Sequence, residues 1–177
     1  MLMIPGARIV IIGNSGSGKS TLAQALGATR GQVVFDLDDA HWQVGVGIDR
    51  DKAEAKGVVH AFAEQPRWVI EGVYGWLAAI ALARANTLIW LDLPWDVCRD
   101  SLTGRGPSRG ATAEQHADLL AWAAAYWQRQ TSTSFAGHLG LFNDFAGQKI
   151  RLLNRFDVAA FLAAAHSGTG ENLRGSV

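Results

Sequence analysis

Eight consecutive residues, Gly13-Asn14-Ser15-Gly16-Ser17-Gly18-Lys19-Ser20, spell G-x-x-x-x-G-K-S, and each type has a task when the ligand is a polyphosphate. Three glycines let the chain curl so that successive backbone N–H groups converge on a phosphate. Lys19 supplies a point charge for the β- and γ-phosphates, and the Ser20 hydroxyl suits Mg²⁺. Thr21 then runs into a helix. Position supports the spelling: the β-branched run 8–12 reads as a strand ahead of the loop, and 21–26 reads as a helix that Gly27 can close. The helix N-terminus adds its positive dipole end to the cradle. The pattern predicts binding of a nucleoside triphosphate with Mg²⁺, with a bias to ATP.

Phosphoryl transfer also needs a group to orient or deprotonate an acceptor and cations to hold developing charge. Asp36-Leu37-Asp38 is a D-x-D at the end of a second strand, 33–35, with Asp36 a candidate for the metal shell and Asp38 for the acceptor hydroxyl. A capping role for Asp38 and Asp39 at the following helix or turn is the alternative. His41 and Trp42 suit an acceptor pocket, or equally a surface histidine and a packed tryptophan. Glu71, after strand 68–70, is placed either to contact acceptor or metal or to cap the next helix. Asp92 ends a strand, 88–91, as Asp36 does, so two residues compete for one metal-shell position; Asp36 is preferred because it belongs to the D-x-D. Arg105 and Arg109, set among glycines and a proline, are candidates to swing over the phosphates. Arg129 is a further candidate pointing back into the cleft, against the alternative of a solvated or salt-bridged arginine.

The elements that must position these residues alternate. Strands at 8–12, 33–35, 68–70, 88–91 and 148–153 are separated by helical patterns at 49–64, around 76–81 and at 95–103. Thr112-Ala113-Glu114-Gln115 has the form of a capping box opening a long helix to about Arg129. Val158, Phe161, Leu162 and Ala165 stripe a last helix. This is an α/β domain, a parallel sheet covered on both faces, with ligands at the carboxyl ends of its strands. One domain spans about 1–166, its acceptor-binding segment about 37–67 and its lid about 104–111; a Gly- and Ser-rich tail, 167–177, is expected to be disordered.

Sixteen basic and sixteen acidic residues cancel, which removes the footprint of a dedicated nucleic-acid binder. The one cysteine, Cys98, excludes an internal disulfide framework and reads as a small buried residue. The longest later apolar run, 119–127, is too short to span a bilayer. The expectation is a soluble cytoplasmic protein, monomer or homodimer, with no membrane or stable nucleic-acid partner.

Taken in order, these motifs resemble the P-loop kinase superfamily of adenylate, shikimate and gluconate kinases, and more narrowly the small adenylate-kinase-related topology modulation proteins. The resemblance covers about residues 8–165 and rests on the phosphate loop, Asp36-Leu37-Asp38-Asp39-Ala40-His41-Trp42, Trp68-Val69-Ile70-Glu71-Gly72-Val73-Tyr74, Leu91-Asp92-Leu93-Pro94 and Ile150-Arg151-Leu152. It implies a five-stranded sheet of order 2-3-1-4-5, a lid closing on ATP, and Tyr74 on the acceptor side. The Asp-Gly-Asn-Tyr of that group is Glu71-Gly72-Val73-Tyr74 here, and the arginine that adenylate kinases carry after the strand-three glycine is absent.

The expected activity is transfer of the γ-phosphate of Mg-ATP to a small acceptor: a nucleoside, a nucleoside monophosphate or another hydroxyl-bearing metabolite. The alternative is a nucleotide-binding regulator, non-catalytic or slowly hydrolysing, that acts on DNA or a partner protein. A regulatory GTPase fits poorly. Asn154-Arg155-Phe156-Asp157 echoes a guanine-reading motif, but the D-x-x-G at Asp144-Phe145-Ala146-Gly147 lies too close to it to be a switch.

Overall fold

A computed structural model describes residues 5–43 and 47–171 of the chain. Runs of apolar, largely β-branched residues set the middle of the sheet, where both faces must be covered. Strands β1 (Arg8–Gly13), β3 (Trp68–Gly72) and β4 (Thr87–Leu91) are buried along almost their whole length. The edge strands β2 (Val33–Asp36) and β5 (Gln148–Leu152) are more polar and partly exposed. The sheet is parallel throughout in the order β2-β3-β1-β4-β5, as the resemblance implies.

Strand alternation divides the core in two. Val10, Ile12, Trp68, Ile70, Leu88 and Trp90 point to one face, where they meet helices α2 (Leu37–His41), α3 (Lys52–Ala63) and α4 (Gly75–Leu82). Ile9, Ile11, Val69, Ile89 and Leu91 point to the other, under α1 (Lys19–Arg30), α5 (Trp95–Arg105) and a C-terminal helix numbered α8 (Arg155–Glu171). Between α5 and β5 lie α6 (Ala113–Ala124), a single 3-10 turn (Ala125–Trp127) and α7 (Phe135–Asp144), the last packing on the first core.

Several boundaries differ from the sequence expectation, each for a local reason. Helix α1 continues through Gly27 and ends at Gly31 in the left-handed region, φ 61°. Gly27 serves packing instead: a Cβ there would lie 2.5 Å from Val34 Cγ2. The capping box forms as expected, with Thr112 N–H donating to Gln115 Oε1 at 2.8 Å and Gln115 N–H to Thr112 Oγ1 at 3.1 Å. The helix it opens stops at Ala124, short of Arg129. Helix α5 runs through Arg105, so the irregular lid segment begins at Gly106. Helix α8 carries past Ser167 to Glu171, so that start of the expected disordered tail is helical; 172–177 lie outside the described residues.

Candidate active site

The strand register fixes the level of the site before any side chain is considered. Asp36 pairs with Glu71 across β2 and β3, and Ile12 pairs with Gly72 just before the phosphate loop leaves β1. Three carboxyl ends therefore open at one level of the sheet, as the parallel topology requires. They border a cleft of about 1230 Å³ that also takes walls from α5, α6, α8 and the lid segment.

The loop itself has the conformation of a cradle. Gly13, Gly16 and Gly18 take φ of 153°, 79° and 95°. At Gly16 a Cβ would collide with the Cys98 carbonyl, so helix α5 approaches too closely for another residue. Ser15, Gly16, Gly18, Lys19, Ser20 and Thr21 line the cleft. Gly13, Asn14 and Ser17 do not; they support the loop from within, Asn14 and Ser17 being almost fully buried. Lys19, itself buried, donates from Nζ to the Asn14 carbonyl at 2.9 Å. Asn14 also accepts from Ser15 N–H at 2.8 Å through its side-chain oxygen and donates through Nδ2 to the Ala123 carbonyl at 2.9 Å.

Across from Lys19 stand the carboxylates. Asp36 caps α2, accepting from Asp38 N–H at 2.9 Å; the cap of this helix is thus the first aspartate of the D-x-D, with Asp38 and Asp39 in the first turn. Glu71 is 3 % exposed, with the Ser20 hydroxyl beside it opposing the rise in its pKa. Burial, with the charges of Asp36 and Asp38 added, lifts its pKa to about 7 against the pull of Lys19. Burial and the neighbouring Asp36 raise Asp38 to about 6, although Arg109 and Lys19 oppose this. Burial also raises Tyr74, with the charges of Asp38 and Asp36 adding to it. His41 stacks on Tyr74 with ring centres 4.0 Å apart and meets Trp42 edge-on at 4.4 Å; all three border the cleft. Burial lowers the His41 pKa, partly countered by Asp49 at 3.4 Å.

The lid residues separate. Arg109, with φ 55°, sends its guanidinium onto the D-x-D region: 2.5 Å to Asp36 Oδ2, 2.7 Å to Asp39 Oδ1 and 3.4 Å to Asp38 Oδ2. Arg105 lines the cleft. Arg129 is not among the lining residues. Its guanidinium covers the Trp122 ring at 4.0 Å, donates to the Trp122 carbonyl and reaches the Thr133 carbonyl at 3.0 Å. The helix that would have carried it toward the phosphates has already ended, and three neighbouring groups hold it where it is. Asp92, the rival to Asp36, is likewise spoken for: Arg151 donates to its Oδ2 at 3.0 and 2.6 Å, and it faces a different depression.

Arg155 joins the site without having been singled out. It donates to the Ser17 carbonyl at 2.7 Å and to Ser101 Oγ at 2.8 Å, its guanidinium flanking Gly18. Its placement one residue into the helix after the last strand, at a carboxyl end of the sheet, is the signal that would have found it. Asp49, His116 and Asp118 also border the cleft; nothing in their local sequence marks them.

No protein-family model matches the chain, and no curated protein matches it in sequence. Solved structures do. A sugar kinase from Janibacter sp. HTCC2649 superposes with a TM-score of 0.56 at 17 % identity, over 92 % of this chain and 94 % of that one. A gluconokinase from Sinorhizobium meliloti 1021 gives 0.55 at 18 %, over 96 % of each chain. A shikimate kinase from Bacteroides thetaiotaomicron gives 0.50 at 17 %, over 93 % of this chain and 98 % of that one. At such identities the likeness establishes the fold alone, an α/β fold like that of these P-loop kinases.

Proposed function

We propose that this protein is an ATP-dependent kinase that transfers the γ-phosphate of Mg-ATP to a hydroxyl of a small acceptor. The observation that carries the reading is one continuous cleft in which the phosphate cradle and Lys19 face Asp36, Asp38 and Glu71, with lid arginines at its rim. Ser15, Gly16 and Gly18 would offer N–H groups to the phosphates, Lys19 and Arg105 charge, and Arg155 holds the loop in shape. Asp38, raised toward neutrality yet mostly ionised at pH 7, suits a general base. It would take the proton of the acceptor hydroxyl as that oxygen bonds the γ-phosphorus, the β–γ bridge breaks and ADP leaves.

The donor set fits Mg²⁺. Ser20 and Asp36 are hard oxygen donors, and in phosphoryl-transfer sites this ion is held by one or two side chains together with phosphate oxygens. Among the described residues no cage of three His, Cys, Asp or Glu side chains is present. When bound, Mg²⁺ would neutralise charge on the transferring group. The order of motifs supports the narrower kinship with topology modulation-like proteins. No helix among the described residues is long and apolar enough to cross a membrane, and a cytoplasmic location, where ATP is supplied, belongs to the same proposal.

The test is ADP release from Mg-ATP in the presence of nucleosides, nucleoside monophosphates, sugars and small alcohols. Stimulation over the acceptor-free background by at least one is expected. Stimulation by DNA or a protein, and by no small molecule, would establish the regulator instead.

A further inference from the structure

The cleft is electrically polarised. Lys19, Arg105 and Arg155 line its phosphate end, whereas the wall formed by Asp36, α2, Trp42, Asp49 and β3 presents the carboxylates of Asp36, Asp38, Asp49 and Glu71. No lysine or arginine of that wall lines the cleft among the described residues. Arg50 is turned away onto the Ala40 and Trp42 carbonyls and Glu54. His41, with its lowered pKa, adds no charge near neutrality. Between the carboxylates lie the rings of His41, Trp42 and Tyr74.

Among the described residues, Lys19 acts on this wall from the phosphate side and the lid brings a second cation onto it. Arg109 places a guanidinium within 3.4 Å of Asp36, Asp38 and Asp39, so the wall has the geometry to hold an organic cation and holds one. A carboxylate or phosphate on the acceptor would enter among like charges at short range, where repulsion is strongest. Aromatic faces and carboxylates together favour the opposite sign.

Resting on the kinase reading of this cleft, we propose that the acceptor is a cationic amino alcohol: its ammonium replaces the Arg109 guanidinium beside Asp39 and packs on the Trp42 and Tyr74 rings, and its hydroxyl faces Asp38. The reaction remains transfer to oxygen. The hydroxyl proton passes to Asp38, the oxygen–phosphorus bond forms, the β–γ bridge breaks with ADP as leaving group, and the ammonium stays protonated and unreacted. Nucleoside monophosphates and sugar acids are disfavoured on the same charge argument.

Matched probes test it. Glucosamine, glucose and gluconate share a carbon skeleton with positive, neutral and negative charge, and phenylalaninol against phenyllactate repeats the contrast with an aromatic ring. Binding is read by calorimetry with Mg²⁺ and a non-hydrolysable ATP analogue, and ADP release is read with ATP. Each amine is expected to bind about tenfold more tightly than its uncharged or anionic counterpart, weakening in high salt. Asp39→Asn, at an exposed position that folding tolerates, should lower that preference several-fold, and Arg109→Ala, read without nucleotide so that the parental guanidinium still lies on the aspartates, should strengthen amine binding by removing the internal competitor. No preference for the amines, whether because an anion binds as well or because no probe binds, overturns the proposal. The two readings fail separately: amine preference without any ADP release over background sinks the kinase, and ADP release driven by gluconate or phenyllactate sinks the amine acceptor alone.

Discussion

The side-chain amide of Asn14 donates to the carbonyl of Ala123 at 2.9 Å across 109 residues of sequence, tying the phosphate loop to the last turn of α6. Both groups are buried, and the helix so anchored leads back to the lid. Replacing Asn14 by Ala takes from the buried Ala123 carbonyl one of its two donors, the other being Ala125 N–H, at a cost of about 1 kcal/mol. Urea unfolding should show this loss together with weaker binding of ATP, since the same side chain accepts from Ser15 N–H within the cradle. A variant that unfolds at the parental urea concentration would show the contact to be incidental.

Lys19→Ala should weaken ATP binding by about a hundredfold or more, because it removes a charge-assisted donor to the phosphates in a partly desolvated cleft. Nucleotide affinity in Mg²⁺ is the measurement. Equal affinities would refute the phosphate-loop assignment.

Asp36→Asn and Asp38→Asn separate the two aspartates. Asparagine caps helices as well as aspartate does, so the cap at α2 survives the first change and the fold should be intact in both. Asp38→Asn is expected to lower turnover by about 10²–10⁴-fold as a general base is lost. Asp36→Asn should instead raise the Mg²⁺ concentration needed for half-maximal rate. Parental turnover in both variants would reduce the D-x-D to a structural cap.

How far the sequence carried these assignments depends on how local the determining physics is. The loop at 13–20 was legible because its cradle needs only neighbouring glycines, and Asp36 and Glu71 because strand ends in a parallel sheet share one crevice. Helix α7 was not legible. Gly137 and Gly140 dilute its helical signal, and Gly137 is there for contact, since a Cβ would run into the Thr131 carbonyl. Its partner was equally hidden: His138, buried on α7, bonds Tyr126 Oη at 2.6 Å and the Val73 carbonyl at 2.9 Å. These long-range polar contacts turn the chain after α6, and so they decide that Arg129 lies against Trp122 and outside the cleft.

The raised pKa values predict the pH dependence of stability. Glu71 is lifted from 4.5 to about 7 in the folded protein, first by burial. Between those values the native state holds a proton that the unfolded chain has released, so stability falls as pH rises through this window. Asp38, lifted from 3.8 to about 6, acts with the same sign over a lower window. Glu71→Gln should flatten the decline and give a higher melting temperature than the parent at pH 8 in the absence of nucleotide. Thermal melts from pH 4 to 8 decide it; an unaltered slope in the variant would show that Glu71 is not the group responsible.

The lid carries a contact for which nucleotide can compete. Arg109 is anchored to three aspartates in the free protein, so the segment from Gly106 to Gly110 is already tethered at one point. An ATP analogue with Mg²⁺ presents competing phosphate charge and should draw the guanidinium off Asp36 and Asp39, trading one tether for another. Trypsin cleavage after Arg105 is expected to be slow in the parent and slower still with the analogue. In Arg109→Ala both tethers are gone, and cleavage should accelerate several-fold whether or not nucleotide is present, by the general link between lost anchoring and local opening. Equal cleavage rates for parent and variant in the free state would mean that the three ion pairs do not hold the lid.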